Sequence, residues 1–158
     1  MWRPMRRFKQ QMTEEECVTL LKEEKRGILS VIGDDGYPYG VPLNFYYDEG
    51  TEQIYFHCAK EGHKLDAIRA CDKVCFTVMN QGWKDEDGWS YHPSSVIAFG
   101  RARIVEDEEE KISSARNFGN KYFPIKDRTE EELAHSAARM NMVAIRIEHM
   151  KGKHVHEE

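Results

Sequence analysis

Residues 54–69 read IYFHCAKEGHKLDAIR and carry the side chains best suited to chemistry in this chain. Ile54, Phe56 and Cys58 alternate with Tyr55, His57 and Ala59, as a strand does, before Glu61-Gly62 breaks the pattern. Helical spacing follows, with Leu65, Ala67 and Ile68 on the apolar side. A helix that starts on a glycine turn leaves backbone N–H groups free and presents the positive end of its dipole. That arrangement favours an anion. His63 and Lys64 lie in the first turn, where cations oppose the dipole unless an outside anion is bound. Local conflicts of this kind tend to mark functional sites, so the expected chemistry is phosphate binding.

The chain as a whole narrows the partners. Its 158 residues suit one domain, residues 1–158, with an N-terminal arm over 1–11 and a frayed tail over 151–158. A net charge of −5, with 32% charged residues, supplies no global field for nucleic acid. No apolar run approaches the roughly 20 residues that span a bilayer, and the basic N-terminus lacks the apolar core of a secretory signal. The four cysteines (Cys17, Cys58, Cys71 and Cys75) show neither zinc-type nor redox-motif spacing, which suits free thiols in a reducing cytoplasm. His154 and His156 have a strand-like ligand spacing, but two such groups in a terminal tail do not make a metal site.

The elements that must position residues 54–69 follow from pattern. Thr13 and Glu16 form a capping-box signature for a helix that stops at Gly27. A short buried strand over 28–32, a turn at 33–36 and a longer strand over 37–47 come next. Pro38 and Pro42 cannot donate to a ladder, so their positions must face an edge, a bulge or a ligand. A turn at 48–51 leads into the 54–59 strand, which predicts a meander of three. Further strands are expected over 73–79, 95–105 and 141–148, and helices over 107–120 and 129–139, the two helices separated by Phe123-Pro124. The polar stretch 80–94 bears Trp83 and Trp89, which cap either a substrate pocket or a subunit surface. The expected fold class is α+β, mainly β: a six-stranded antiparallel barrel with peripheral helices.

Four stretches in this order resemble the flavin-binding split-barrel superfamily of pyridoxamine 5'-phosphate oxidase: residues 27–30 (GILS), 39–45 (YGVPLNF), 56–64 (FHCAKEGHK) and 95–102 (SVIAFGRA). Within it the chain looks most like the nitroimidazole-resistance group. The resemblance implies flavin mononucleotide (FMN) at a homodimer interface. It puts Val41, Pro42, Leu43 and Asn44 along the flavin ring, with Ala59, Gly62, His63 and Lys64 around the phosphate turn. Ser95 corresponds to a hydroxyl near the phosphate, with Ser94 as the alternative. His57, placed beside the ring, is the candidate catalytic group, able to donate toward the reduced flavin or to a substrate.

The chain departs from true pyridoxamine phosphate oxidases in having no Arg over 39–44 and none over 150–154, where those enzymes hold the substrate's phosphate. The expected function is therefore FMN-dependent reduction of a small organic acceptor, with a nitroaromatic as one candidate. The alternative is a flavin or haem carrier without turnover on the same barrel.

Overall fold

The computed structural model describes residues 1–86, 88–123 and 125–156; Asp87, Pro124, Glu157 and Glu158 lie outside the described residues. Helix α1 (Glu14–Glu23) starts as its sequence requires. The Thr13 hydroxyl accepts from the Glu16 N–H at 3.2 Å, and the Glu16 carboxylate accepts from the Thr13 N–H at 2.7 Å. The helix ends earlier than the expected stop at Gly27. Glu24 is already extended, and β1 (Arg26–Ile32) begins two residues later.

The strands after β1 are β2 (Pro38–Asn44), β3 (Tyr46–Asp48), β4 (Gln53–Cys58), β5 (Lys73–Met79), the short β6 (Trp83–Lys84) and β7 (Tyr91–His92), β8 (Ser94–Ile104) and β9 (Asn141–His154). Helix α2 (His63–Ala70) lies between β4 and β5, and α3 (Glu108–Tyr122) and α4 (Lys126–Ser136) lie between β8 and β9. The main sheet has seven strands in the order β2-β1-β5-β8-β9-β4-β3, and β6 pairs with β7 separately. This is the expected mainly β, α+β split barrel, with one strand more than the expected six.

The extra strand comes from a single break in the chain. The predicted strand over 37–47 divides at Phe45, so that β2 pairs with β1 while β3 pairs with β4. The expected meander of three is therefore replaced by a chain that joins opposite ends of one curled sheet. Phe45 is fully buried, and α3 supplies its polar partners. The Phe45 N–H donates to the Tyr122 hydroxyl at 3.0 Å, and that hydroxyl lies 2.7 Å from the Phe45 carbonyl. Lys121 Nζ donates to the same carbonyl at 3.1 Å and to that of Glu24 at 2.6 Å, and lies 4.1 Å from the centre of the Phe45 ring. Buried backbone groups must be paired, and here two side chains from one helix end do the pairing.

Inside the curl, Phe45, Phe56 and Phe76 are the largest fully buried side chains, joined by Leu29, Ile54, Val78, Val96 and Ile145. Gly100 sits at the register shift between β8 and β9, where a Cβ would run into the Arg146 carbonyl oxygen. Two expectations need correction. Residues 28–32 are not buried throughout: Leu29 and Val31 point inward, while Ile28 and Ile32 are exposed. Nor is the tail over 151–154 frayed, because β9 stays paired with β8 as far as Ser94 opposite His154. There the Ser94 hydroxyl lies 2.6 Å from His154 Nδ1, and Met12 N–H donates to the Gly152 carbonyl at 2.9 Å.

Candidate functional site

The register of the barrel opens a gap beside the candidate site residues. β3 and β4 pair as Tyr46 with Tyr55, Tyr47 with Ile54 and Asp48 with Gln53. Continued through Phe45, that register would set Asn44 against His57 and Pro42 against Ala59. Instead β2 turns away to pair with β1, and His57 and Cys58 pair only with Met142 and Asn141 of β9. The result is a split with two free strand edges: Val41, Pro42, Leu43 and Asn44 on one side, and His57 to Ala59 on the other. Pro38 and Pro42 fall on alternate positions of β2, the parity whose N–H would face the open edge. Their missing donors therefore cost β2 nothing on its paired side.

Helix α2 closes one end of this split. Its N-cap, Gly62, has φ of +146°, a conformation that side-chain-bearing residues rarely adopt. No side chain caps the helix, and its first turn carries His63 and Lys64. The His63 ring stacks on Tyr39 of β2, with ring centres 4.2 Å apart, and its Nε2 lies 3.7 Å from Asp34 Oδ1. Two sequence-distant pieces, the start of β2 and the start of α2, are thus held together through one imidazole. The pattern of residues does not point to Tyr39 or Asp34 as supports. Tyr39 differs from an ordinary alternating strand residue only in its closeness to two prolines.

His57 projects from β4 on the face opposite the buried Phe56 and Cys58, as its alternation requires. Its ring stands edge-on to Phe118 of α3, with ring centres 4.8 Å apart at 85°. Desolvation by these neighbours, and secondarily the charge of Lys64, hold its pKa below the ordinary 6.5. The imidazole is therefore neutral near pH 7, with one N–H donor and one lone pair. The Lys64 charge at the start of α2 and the His57 imidazole are thus within electrostatic reach of one another.

Beneath α3 and α4 lies a cavity of about 620 Å³. His57, Phe118, Leu133, Met140 and Met142 are among the residues that line it, together with the exposed Arg128 and Glu132. The sequence holds only a faint signal for this cavity: the weakly apolar sides of two helices otherwise rich in charge.

The serines separate clearly. Ser94 is buried, its N–H donates to Asn80 Oδ1 at 2.8 Å and its hydroxyl is engaged by His154. Ser95 is half-buried on β8, opposite Met79 and Lys153. Trp83 stacks on His92 within the β6–β7 ladder, while Trp89 is fully exposed. All four cysteines are free. Among the described residues, no three His, Cys, Asp or Glu side chains are placed to hold a metal ion, and no helix is long and apolar enough to cross a membrane.

Comparison with known proteins agrees with this architecture. A candidate 5-nitroimidazole antibiotic resistance protein of Bacteroides thetaiotaomicron superposes with a TM-score of 0.78 at 20% identity, over 91% of this chain and 86% of that one. A conserved hypothetical protein of Mycobacterium tuberculosis gives 0.80 at 20% identity, over 95% and 89%. A FAD- and haem-binding protein of Mycobacterium smegmatis gives 0.73 at 17% identity, over 91% and 72%. At such identities these likenesses carry the fold alone. No curated protein sequence matches the chain. The sequence model of the pyridoxamine 5'-phosphate oxidase family, however, matches residues 13–154, from the N-cap of α1 to the last residue of β9. By that match, and by the split barrel it folds into, the chain belongs to the pyridoxamine 5'-phosphate oxidase family.

Proposed function

We propose that this protein is an FMN-dependent oxidoreductase that reduces a small organic acceptor. The observation that carries the reading is the split itself. A free β2 edge, a glycine-started helix bearing Lys64 and His63, and a neutral His57 meet around one gap. The residues fit FMN. The uncapped start of α2 with Lys64 suits a terminal phosphate, and the open edge at Val41–Asn44 offers backbone groups to the polar rim of a flat ring. One phosphate turn, without a second glycine-rich loop, favours FMN over the pyrophosphate-bearing dinucleotide. Bound flavin would supply two-electron chemistry between a reduced donor and the acceptor. The chain's own part is to grip the phosphate through Lys64, keep His63 in place through Tyr39 and Asp34, and present an imidazole proton donor from His57.

A second copy of the chain is the proposed cover for the outer face of the barrel. Ile28, Met79, Ile97 and Phe99 are 39–60% exposed, and the pairing of β1, β5 and β8 makes that face continuous. An apolar sheet face of this kind, beside a free edge, is suited to a twofold homodimer with the flavin between subunits. The free thiols fit a reducing cytoplasm as the proposed location.

A visible spectrum of the purified protein, followed by titration with FMN and with FAD, tests the reading. A yellow protein, or one that takes up FMN more tightly than FAD, is expected. Failure to bind either flavin refutes it. Steady-state oxidation of a nicotinamide donor separates turnover from the carrier reading favoured by the FAD- and haem-binding relative.

A further inference from the structure

The cavity beneath α3 and α4 is more than a gap in packing. At about 620 Å³ it falls within the size range of small-molecule sites, roughly 300–1,000 Å³. Its walls are apolar and soft: the Phe118 ring, Leu133 and the thioethers of Met140 and Met142, with the His57 ring at one side. Thioethers and ring edges are favourable neighbours for a flat aromatic guest. The polar part of the wall is Thr129, Ser136 and two charges, Arg128 and Glu132, one turn apart on α4. The two charges are not paired with each other. Among the described residues no carboxylate lies within 4.0 Å of Arg128, although Arg116 of α3 reaches Glu130 at the neighbouring turn. A guanidinium fork left open beside an apolar cavity matches the two oxygens of a planar carboxylate. Glu132 disfavours a second negative charge on the same ligand, and it repels an oxyanion seated toward its own end of the wall.

We infer that this cavity binds a planar aromatic monoanion, with its ring between Phe118 and Leu133 and its carboxylate on Arg128, so that the ring's remaining edge is turned toward His57. Arg128 then sets specificity: it selects aromatic acids over neutral aromatics of equal size. The inference deepens the oxidoreductase reading and rests on it only for what becomes of the ligand. Occupancy of the cavity is a separate matter and can be measured separately.

The test uses the protein as purified, supplied with excess FMN, and two probes measured by calorimetry: 4-nitrobenzoate and nitrobenzene. Wild-type protein is expected to bind 4-nitrobenzoate more tightly. Arg128→Gln, a change at an exposed position, should weaken 4-nitrobenzoate by about tenfold or more and leave nitrobenzene unchanged. Leu133→Trp, which fills the cavity, should abolish both. FMN titrations should match wild type in each variant. No binding of 4-nitrobenzoate to wild type, or equal affinity in Arg128→Gln, overturns the inference, and the arginine variant decides the matter even if the tryptophan variant fails to fold. If wild type binds 4-nitrobenzoate in this pattern but takes up no flavin, the cavity assignment stands and the oxidoreductase reading falls.

Discussion

Replacing Tyr122 with Phe removes one oxygen and should disturb both the barrel and the split. That oxygen is the acceptor for the Phe45 N–H at 3.0 Å, and it also lies against the Phe45 and Lys25 carbonyls. Phe45 is fully buried, so water cannot readily replace the hydroxyl. The Phe45 carbonyl keeps Lys121 as a donor, but the N–H is left without a partner among the described residues. A buried donor left unpaired costs about 1–3 kcal/mol. For a chain of this size, that corresponds to a fall in melting temperature of about 2–12 °C. Because Phe45 is where β2 and β3 part, FMN affinity should fall as well. Tyr37→Phe, at an exposed turn residue, is the control and should change neither quantity. Thermal unfolding with and without FMN is the assay. A Tyr122→Phe protein that melts with wild type would refute the idea that α3 fixes the strand break.

Lys64→Ala should weaken FMN by about ten- to a hundred-fold while leaving riboflavin little changed, as expected for a charge-assisted bond to phosphate; equal losses for both ligands in parallel fluorescence titrations would count against it. His57→Gln should keep the fold and most FMN affinity but slow acceptor reduction. A lower melting temperature with a normal pre-steady-state reoxidation rate would assign His57 to packing alone. Burial pushes the Lys121 pKa down to about 8, below its ordinary 10.5, so the folded chain gives up a proton that the unfolded chain keeps between those values. The cost of its charge is present in full below pH 8 and is relieved as pH rises toward 10.5. Wild-type stability relative to Lys121→Met should therefore rise across that window in urea titrations, and a flat difference would show that the Leu21, Glu24 and Phe45 carbonyls around Nζ offset the burial.

Much of the site is legible in the sequence because its signals are local. The spacing of Gly62, His63 and Lys64 marks a helix that starts on a glycine turn, which is where α2 begins, and the alternation of β4 correctly turns His57 away from Phe56 and Cys58. What escapes is long-range. Residues 37–47 look like one strand because every residue in them has strand character, and the break at Phe45 depends on Lys121 and Tyr122, more than seventy positions away. The tail looks frayed because its polar residues lack a clear period, but β9 is held there by β8 and by α1, whose Glu16 carboxylate lies 3.3 Å from His154 Nε2. The α3–α4 cavity arises from the meeting of two helices with weak apolar sides, and no single stretch encodes it.

The placement of β9 also bears on how the molecule is made. This strand follows β4 and β8 in sequence, yet it lies inside the sheet, paired along β8 on one side and β4 on the other. Until it has been synthesised, β4 and β8 have no common partner and the curl cannot close. Folding must therefore wait until β9 has left the ribosome, rather than proceed strand by strand during synthesis. The nascent chain meanwhile carries two long unpaired edges, rich in Val, Ile and Phe, which is the state that chaperones recognise. Such non-local pairing also makes closure slow. Truncations within residues 141–154 should consequently yield no stable smaller barrel, only protein that aggregates or is degraded.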